Sequence, residues 1–587
     1  MQSLSLRVFN SKNTRPCFKN LTIFGCYKRC FSNQNDFTKT PAGVLDGNTH
    51  DFTTKKYDAI IIGGGHNGLV CSNYLSKKKK VLVLEQRDIL GGAASSEELV
   101  PGFKFSRFSY VLSLLRKVVV DEIFEKDWKD KLKLYPHDNA SFTPTHDLRT
   151  YLMLNSDEES NLQEIGKFSE KDKKSFLEFE EKLEEIVEIV NPYIDSEPSF
   201  SAMNAISSFI TTRTRVQSSL SELFHMMTAP ASVILDKYFE SDIIKGTFAS
   251  DACTGANQSP HSPNSSLVLI HDVMGEIHGK GEWAYVQGGM GAISNYLTSL
   301  AIKRGVDVAI NSGVQHIMTD SKTNKVTGVN LWNGQTIKCD TIITNCTNHI
   351  VYDKLLDNQD ILPDEFRRGL KSINYDAVQV KYNLILNEIP KFRCLEHLWD
   401  DNETFHEKKR SIHINCEDMD TIHTAYKESS RGEICSRPII EMAIPSFLDP
   451  TLVPEGSEKL VANLFVQYAP KYLSGGREWD EKNRNIFIQN TYKVVDEYAP
   501  NFSNSIEFQD VLFPEDLENL LGMTGGNLYH GAMDLNSMFF SRPMPNYSDY
   551  KGPIGGLWSC GASNHPGGGV SGAPGRNCAK NLLKYSF

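Results

Sequence analysis

Several chemistries are excluded by what this chain of 587 residues does not contain. No apolar run reaches about 18 residues, the length that a membrane-crossing helix needs, so no transmembrane segment is expected. The 12 cysteines include no CxxC and no CxxxxC pair, and three of them, Cys17, Cys26 and Cys30, crowd near the start. Redox-active disulfide relays need such close pairs. Structural thiols in a reducing compartment are therefore expected, and disulfide chemistry is not. Neither HExxH nor a paired Cys/His spacing points to a metal, so none is expected. The formal net charge is −11, without the basic excess that nucleic-acid binding needs. The chain is too long for one core, so about two or three lobes are expected.

A further absence is local. The first 35 residues hold no Asp or Glu, yet carry Arg7, Lys12, Arg15, Lys19, Lys28 and Arg29 among frequent Ser, Asn and Thr. A basic, hydroxyl-rich, acid-free start suits a mitochondrial transit peptide. Arg29-Cys30-Phe31-Ser32 has the look of a matrix processing site, which sets a presequence over 1–31. No compact apolar segment follows the charges, so a secretory signal fits less well. Residues 32–56 are polar and read as a linker.

The first strong signal is Gly63-Gly64-Gly65-His66-Asn67-Gly68, a GxGxxG loop. It follows an apolar run, Tyr57 to Ile62, that reads as a buried parallel strand. It opens a helix from His66 to Ser76, and Val81–Leu84 is the next strand. In this βαβ context Gly63 permits the tight turn, and Gly65 lets backbone approach a pyrophosphate at a helix N-terminus. Gly68 lets helix and strand pack closely. His66 and Asn67 begin that helix. Glu85, at the end of the second strand, suits ribose hydroxyls. Arg87, Gly91 and Gly92 continue the unit; Arg87 lies either near an adenosine or in solvent.

The tail carries a second signal. Gly555 to Asn577 reads as a strand, a glycine loop and a helix. Gly561, Gly569, Val570 and Gly572 lie in it, where amides and a helix N-terminus would stabilise negative charge developing on a bound cofactor. His565 either contacts cofactor or substrate, or fixes the loop by hydrogen bonds. Between the ends, Ser169–Val190 predicts an amphipathic helix with a capping box of Ser169 and Asp172. Its stripe of Phe176, Phe179, Leu183, Ile186 and Val190 reads as core. Its acidic face reads as solvated. A second αβ pattern begins at Trp283–Val286 and continues through Gly288-Gly-Met-Gly291 to a strand at 306–310. Either it is a second nucleotide domain or it returns the chain to the first. The third glycine is missing, with Ser294 in its place, and no acidic residue ends the following strand. Both count against a second nucleotide domain.

Tyr57 to Leu115, with Pro101-Gly-Phe-Lys-Phe-Ser106, resembles the phytoene-desaturase-like branch of the flavin amine oxidase superfamily. So does His565-Pro-Gly-Gly-Gly-Val570. Gly525-Gly-Asn-Leu-Tyr529-His530-Gly531-Ala-Met and Arg542-Pro543 narrow the resemblance to one mitochondrial group whose reaction is unsettled. The resemblance implies an α/β fold: a glutathione-reductase-like, Rossmann-type FAD-binding domain with an interleaved α+β substrate domain. It implies FAD-binding segments 57–120, 283–350 and 552–587, and substrate segments 121–282 and 351–551. It also implies that Val314 lies on the strand that meets adenine. Its FAD signature, with Glu85 spaced to Gly91 and Gly92, favours FAD over NAD.

The expected function is FAD-dependent hydride transfer on an apolar small molecule in mitochondria, in the matrix or at the inner face of the inner membrane. Tyr529, His530 and His565 are the candidates for side chains lining the flavin face. An alternative is a flavin-stabilised scaffold or regulatory protein at the inner membrane, without turnover. It would touch a respiratory-chain protein or the membrane periphery. An amine oxidase, a third reading, would place an aromatic cage and often a lysine by the flavin.

Overall fold

The computed structural model describes residues 37–137, 141–198, 216–272, 274–275, 283–398 and 411–585. The expected presequence, including Arg29–Ser32, lies outside the described residues.

Short β-rich runs build the first sheet. Ala59–Ile62 and Val81–Leu84 are buried along their whole length, as strands covered on both faces must be. Six parallel strands follow in the order Leu45–Asp46, Asp307–Ile310, Val81–Leu84, Ala59–Ile62, Ile342–Thr344 and Leu557–Ser559. On one face lie the helices His66–Leu75, Gly291–Lys303 and Ala573–Tyr585, whose Leu69, Leu297 and Leu582 share a core with Ile61 and Val83. The opposite face packs against the three-stranded antiparallel sheet Val314–Asp320, Lys325–Leu331 and Thr336–Lys338.

The structure corrects three expectations. The linker expected over 32–56 is not one in its described part. Leu45–Asp46 pairs with Asp307–Ile310 as an edge strand, and Phe37 and Phe52 are buried. The domain borders also shift. Helix Lys117–Ile123 crosses the expected border at 120 and puts Val119, Val120 and Ile123 into the first sheet's core. Beyond the expected border at 350, Val351, Tyr352, Phe366 and Leu370 pack on that sheet's other face. Apolar contacts, which carry no sequence punctuation, decide where these segments belong. Finally, Trp283–Val286 is not a strand of the first sheet. It pairs with Leu134–His137, and the next strand of that pattern, Asp307–Ile310, is the one that joins the first sheet, beside Val81–Leu84. The segment after Gly288 therefore returns the chain to the first nucleotide fold.

The second sheet has seven strands: Ile506–Leu512, Val380–Leu386, Leu460–Gln467, Ile439–Ala443, Ser411–Ile414, Ser141–Pro144 and Tyr151–Leu154. Helix Glu170–Ile194 packs against other helices, among them Glu158–Gly166 and Ala231–Tyr238, and its stripe of Phe176, Phe179, Leu183, Ile186 and Val190 shares one large core with Val380, Tyr382 and Leu384 of the sheet. The capping box at its start is half formed. Ser169 Oγ accepts from the Asp172 amide at 3.1 Å. The Asp172 carboxylate turns away and accepts from the amides of Glu240 and Ser241 at 3.0 and 2.9 Å.

Candidate active site

The glycine loop shows why each glycine is there. Gly63 has φ +100°, a left-handed conformation that ends the strand in a turn. A Cβ on Gly68 would stand 2.3 Å from the Gly63 carbonyl oxygen, so no larger residue lets the helix start this close to the strand. Gly65 is the helix N-cap and offers no side-chain cap. The His66 amide donates to the Gly91 carbonyl at 3.3 Å. The amides of Asn67 and Gly68 come next in the first turn, where no intrahelical acceptor exists. A Cβ on Gly65 would also meet Asn345 Nδ2 at 2.8 Å. Gly91, with φ +108°, donates its amide to the Gly64 carbonyl at 2.9 Å and stitches the second glycine pair to the first loop. Gly92 lies directly against Gly65.

Glu85 accepts from the Gly64 amide at 2.8 Å on one oxygen and from the Arg87 amide at 2.9 Å on the other. Each oxygen keeps a lone pair for a further donor. Burial pushes this carboxyl up, and the backbone amides oppose that shift. Arg87 does not face solvent. One nitrogen pairs with Glu97 at 2.7 Å, the guanidinium stacks over Phe108, and Nη1 is buried without a partner. Val314 begins its strand nearby.

A cavity of about 350 Å³ runs along these groups. Gly63, Gly65, His66, Asn67, Glu85, Arg87, Gly92 and Val314 wall it from the first half of the nucleotide fold, and Gly569 and Val570 from the tail. The two halves touch, since His66 Nε2 stands 3.2 Å from the Gly569 carbonyl. Gly68, Gly91, Gly561 and Gly572 are outside the wall. Gly561 packs on Asn345, and Gly572, with φ +73°, packs on Val70 and Val119.

Of the three candidate flavin-face side chains, two line this cavity. Tyr529 donates its hydroxyl to the Thr254 carbonyl at 2.7 Å. Burial pushes the His530 imidazole down to about 3, so it is neutral at physiological pH. His565 does not line it. The ring is fully buried, Nε2 stands 3.1 Å from the Tyr193 carbonyl, and it borders a separate apolar chamber. Its described contacts fix the loop.

Several wall residues carry no motif. Asn345 directly follows the buried strand Ile342–Thr344, at the carboxyl end of the sheet where open α/β sheets bind ligands. His271 is buried, is pushed down to about 4 by burial, and leaves Nε2 without a hydrogen bond. Lys381 and Glu441 are charged positions inside apolar strand runs, and that interruption was a readable signal. Arg542 anchors the loops. It is fully buried and donates to the carbonyls of Tyr529, Gly531, Ala532, Ser537 and Ala562.

Three thiols missed as a group in the sequence, Cys71, Cys560 and Cys578, share the first sheet's core. Burial pushes the Cys560 and Cys578 thiols up. Among the described residues no His, Cys, Asp or Glu cluster is placed to hold a metal. No described helix is long and apolar enough to cross a membrane.

The donor set fits an FAD. A helix N-terminus without a side-chain cap, a carboxylate with spare lone pairs and an unpartnered Arg87 nitrogen border one cavity. Fold and site define a Rossmann-type dinucleotide-binding oxidoreductase fold with an attached mixed-sheet domain. Residues 61–125 match the model of an NAD(P)-binding Rossmann-like domain. The fold resembles that of putrescine oxidase bound to putrescine, at a TM-score of 0.54 and 12% identity over 90% of this chain and 98% of the other. The chain is 38% identical over 550 residues to the rat (Rattus norvegicus) pyridine nucleotide-disulfide oxidoreductase domain-containing protein 2, covering 90% of this chain and 94% of the relative. The chain belongs to that family. A more distant relative is the chloroplastic prolycopene isomerase of Arabidopsis thaliana, 24% identical over 90% of this chain and 82% of the relative.

Proposed function

We propose that this protein is a mitochondrial FAD-dependent oxidoreductase that moves a hydride between FAD and a largely apolar small molecule. One observation carries the reading. A single cavity joins the glycine loop and Glu85 to the inner face of the seven-stranded sheet at Lys381. Bound there, FAD supplies the hydride acceptor or donor. The amides of Asn67 and Gly68 would hold the pyrophosphate, and Glu85 the ribose hydroxyls. Arg87 Nη1 would find its missing acceptor. Leu114, Leu528, Met523 and Val570 give the chamber apolar walls that exclude water. Neutral His271 and His530 can each accept or donate one hydrogen bond there without adding charge. The mitochondrial address rests on the acid-free, basic start.

The test is direct. Purified protein is expected to be yellow and to release FAD on denaturation. Its flavin is expected to bleach anaerobically with substrate. Colourless protein that takes up no FAD on reconstitution would overturn the reading.

A further inference from the structure

The cavity has an end that an apolar substrate does not need. Along Val380–Leu386 the side chains alternate. Val380, Tyr382 and Leu384 enter the apolar core, while Lys381 and Asn383 lie on the opposite face, although every residue of the strand is buried. Lys381 is paired across to Phe465, Phe465 to Glu441, and Glu441 to His413. This row spans four strands on one face. Lys381, Phe465 and Glu441 line the cavity, and Asp251 and Gln379 line it beside them.

The donors in this row are already engaged. Lys381 Nζ donates to Asn463 Oδ1 at 2.6 Å and lies 4.5 Å over the Tyr110 ring. The Tyr110 hydroxyl donates to Glu441 at 2.7 Å. Gln379 Nε2 donates to the Gly526 carbonyl. Acceptors are left over. Gln379 is 1% exposed and its Oε1 has no partner. The Asp251 carboxyl adds to these, and Glu441, which accepts from Tyr110 and Ser411, keeps spare lone pairs. Lys381 faces Glu441, but no cation among the described residues is set against Asp251; burying a carboxylate without its own counter-cation is costly, so it stays where something compensates it.

We propose that this end of the cavity binds the cationic head of an amine whose apolar remainder points toward the glycine loops, with Asp251, Glu441 and Gln379 Oε1 accepting from its N–H groups. The inference rests on the cavity being the substrate chamber. It narrows the substrate from a hydrocarbon to an amphipathic amine. Asp251 is pushed up to about 8 by burial and by Glu441. Below that pH an entering ammonium must displace a proton, and above it the site is already charged. The other titratable groups facing this pair are Lys381, Tyr110, His413, Cys253 and Cys416. His413, pushed down to about 4 by burial, stays neutral through this range.

The experiment is calorimetric titration of the FAD-loaded protein with octylamine, octanol and octanoate. Octylamine is expected to bind at least tenfold more tightly than the other two. Its affinity should rise with pH up to about 8, with proton release seen in buffers of different ionisation enthalpy. Asp251→Asn, nearly isosteric, is expected to weaken octylamine at least tenfold and to remove the proton release. FAD content and melting temperature report whether it folds, and Glu441→Gln repeats the test on the neighbouring strand. Equal or tighter binding of octanol or octanoate overturns the proposal. So does octylamine affinity unchanged in both folded variants. Octylamine bound without any flavin reduction by amphipathic amines would count against the oxidoreductase reading and leave the head-group site standing. Flavin reduction by a polyene without amine binding would do the reverse.

Discussion

Ala59–Ile62 in the six-stranded sheet and Val380–Leu386 in the seven-stranded sheet are buried equally completely. The first carries apolar side chains to both faces. The second alternates Lys381 and Asn383 with Val380, Tyr382 and Leu384. Helices and a small sheet cover the first sheet on both sides, so both faces are core. The second sheet has a helical core on one side and the cavity on the other. Buried polar groups are costly in a central strand unless they are satisfied. Their presence therefore marks which sheet serves chemistry, while the other serves as scaffold for the glycine loops.

The comparison can be broken most forcefully at the loop. Gly65→Leu is expected to abolish FAD retention, read as loss of flavin absorbance after gel filtration, because its side chain enters the cavity wall against Asn345. Full flavin occupancy would disprove the pyrophosphate assignment.

The next test compares the sheets themselves. Ile61→Ala in the scaffold sheet is expected to cost about 3 kcal/mol in urea unfolding, from lost burial and a cavity. Lys381→Met in the second sheet is expected to cost only about 1 kcal/mol, mainly the unpaired Asn463 Oδ1, and yet to impair turnover. Equal destabilisation would mean that the polar row is structural.

A subtler test uses pH. The Asp251 carboxyl rises from its ordinary 3.8 to about 8 in the folded state. The native state thus holds a proton that the unfolded chain releases, and stability falls as pH climbs between those values. Asp251→Asn should lack that loss, so its melting temperature should gain on the wild type at pH 8.5 relative to pH 5. A constant difference would place the group in water. The smallest effect expected is from Ser169→Ala, about 1 kcal/mol for a lost N-cap, without change in flavin content.

The nucleotide half was legible because its physics is local. A strand, a left-handed Gly63, a close-packed Gly68 and the carboxylate Glu85 fall within a few turns of chain. Tyr529 and His530 were legible as cavity groups by resemblance, whereas His565 proved to be loop support beneath Tyr193. Asn345, His271 and the row from Lys381 to His413 were not found, because they meet only through strand pairing across long separations. Asp172 shows the same limit on a smaller scale. Its spacing suited a capping box, but the loop at Glu240 competed for its carboxylate.

The two ends of the described chain carry a further consequence. Leu45–Asp46 and Leu557–Ser559 form opposite edges of one sheet, and Ala573–Tyr585 packs on His66–Leu75. During synthesis the ribosome releases the glycine loop first and its packing partner last. The loop's helix must wait through more than 480 intervening residues before its last neighbour arrives. Until then its buried face, including Leu69 and Val70, is open to chaperones and proteases. A stop codon that removes only the last helix should therefore act like damage at the first loop.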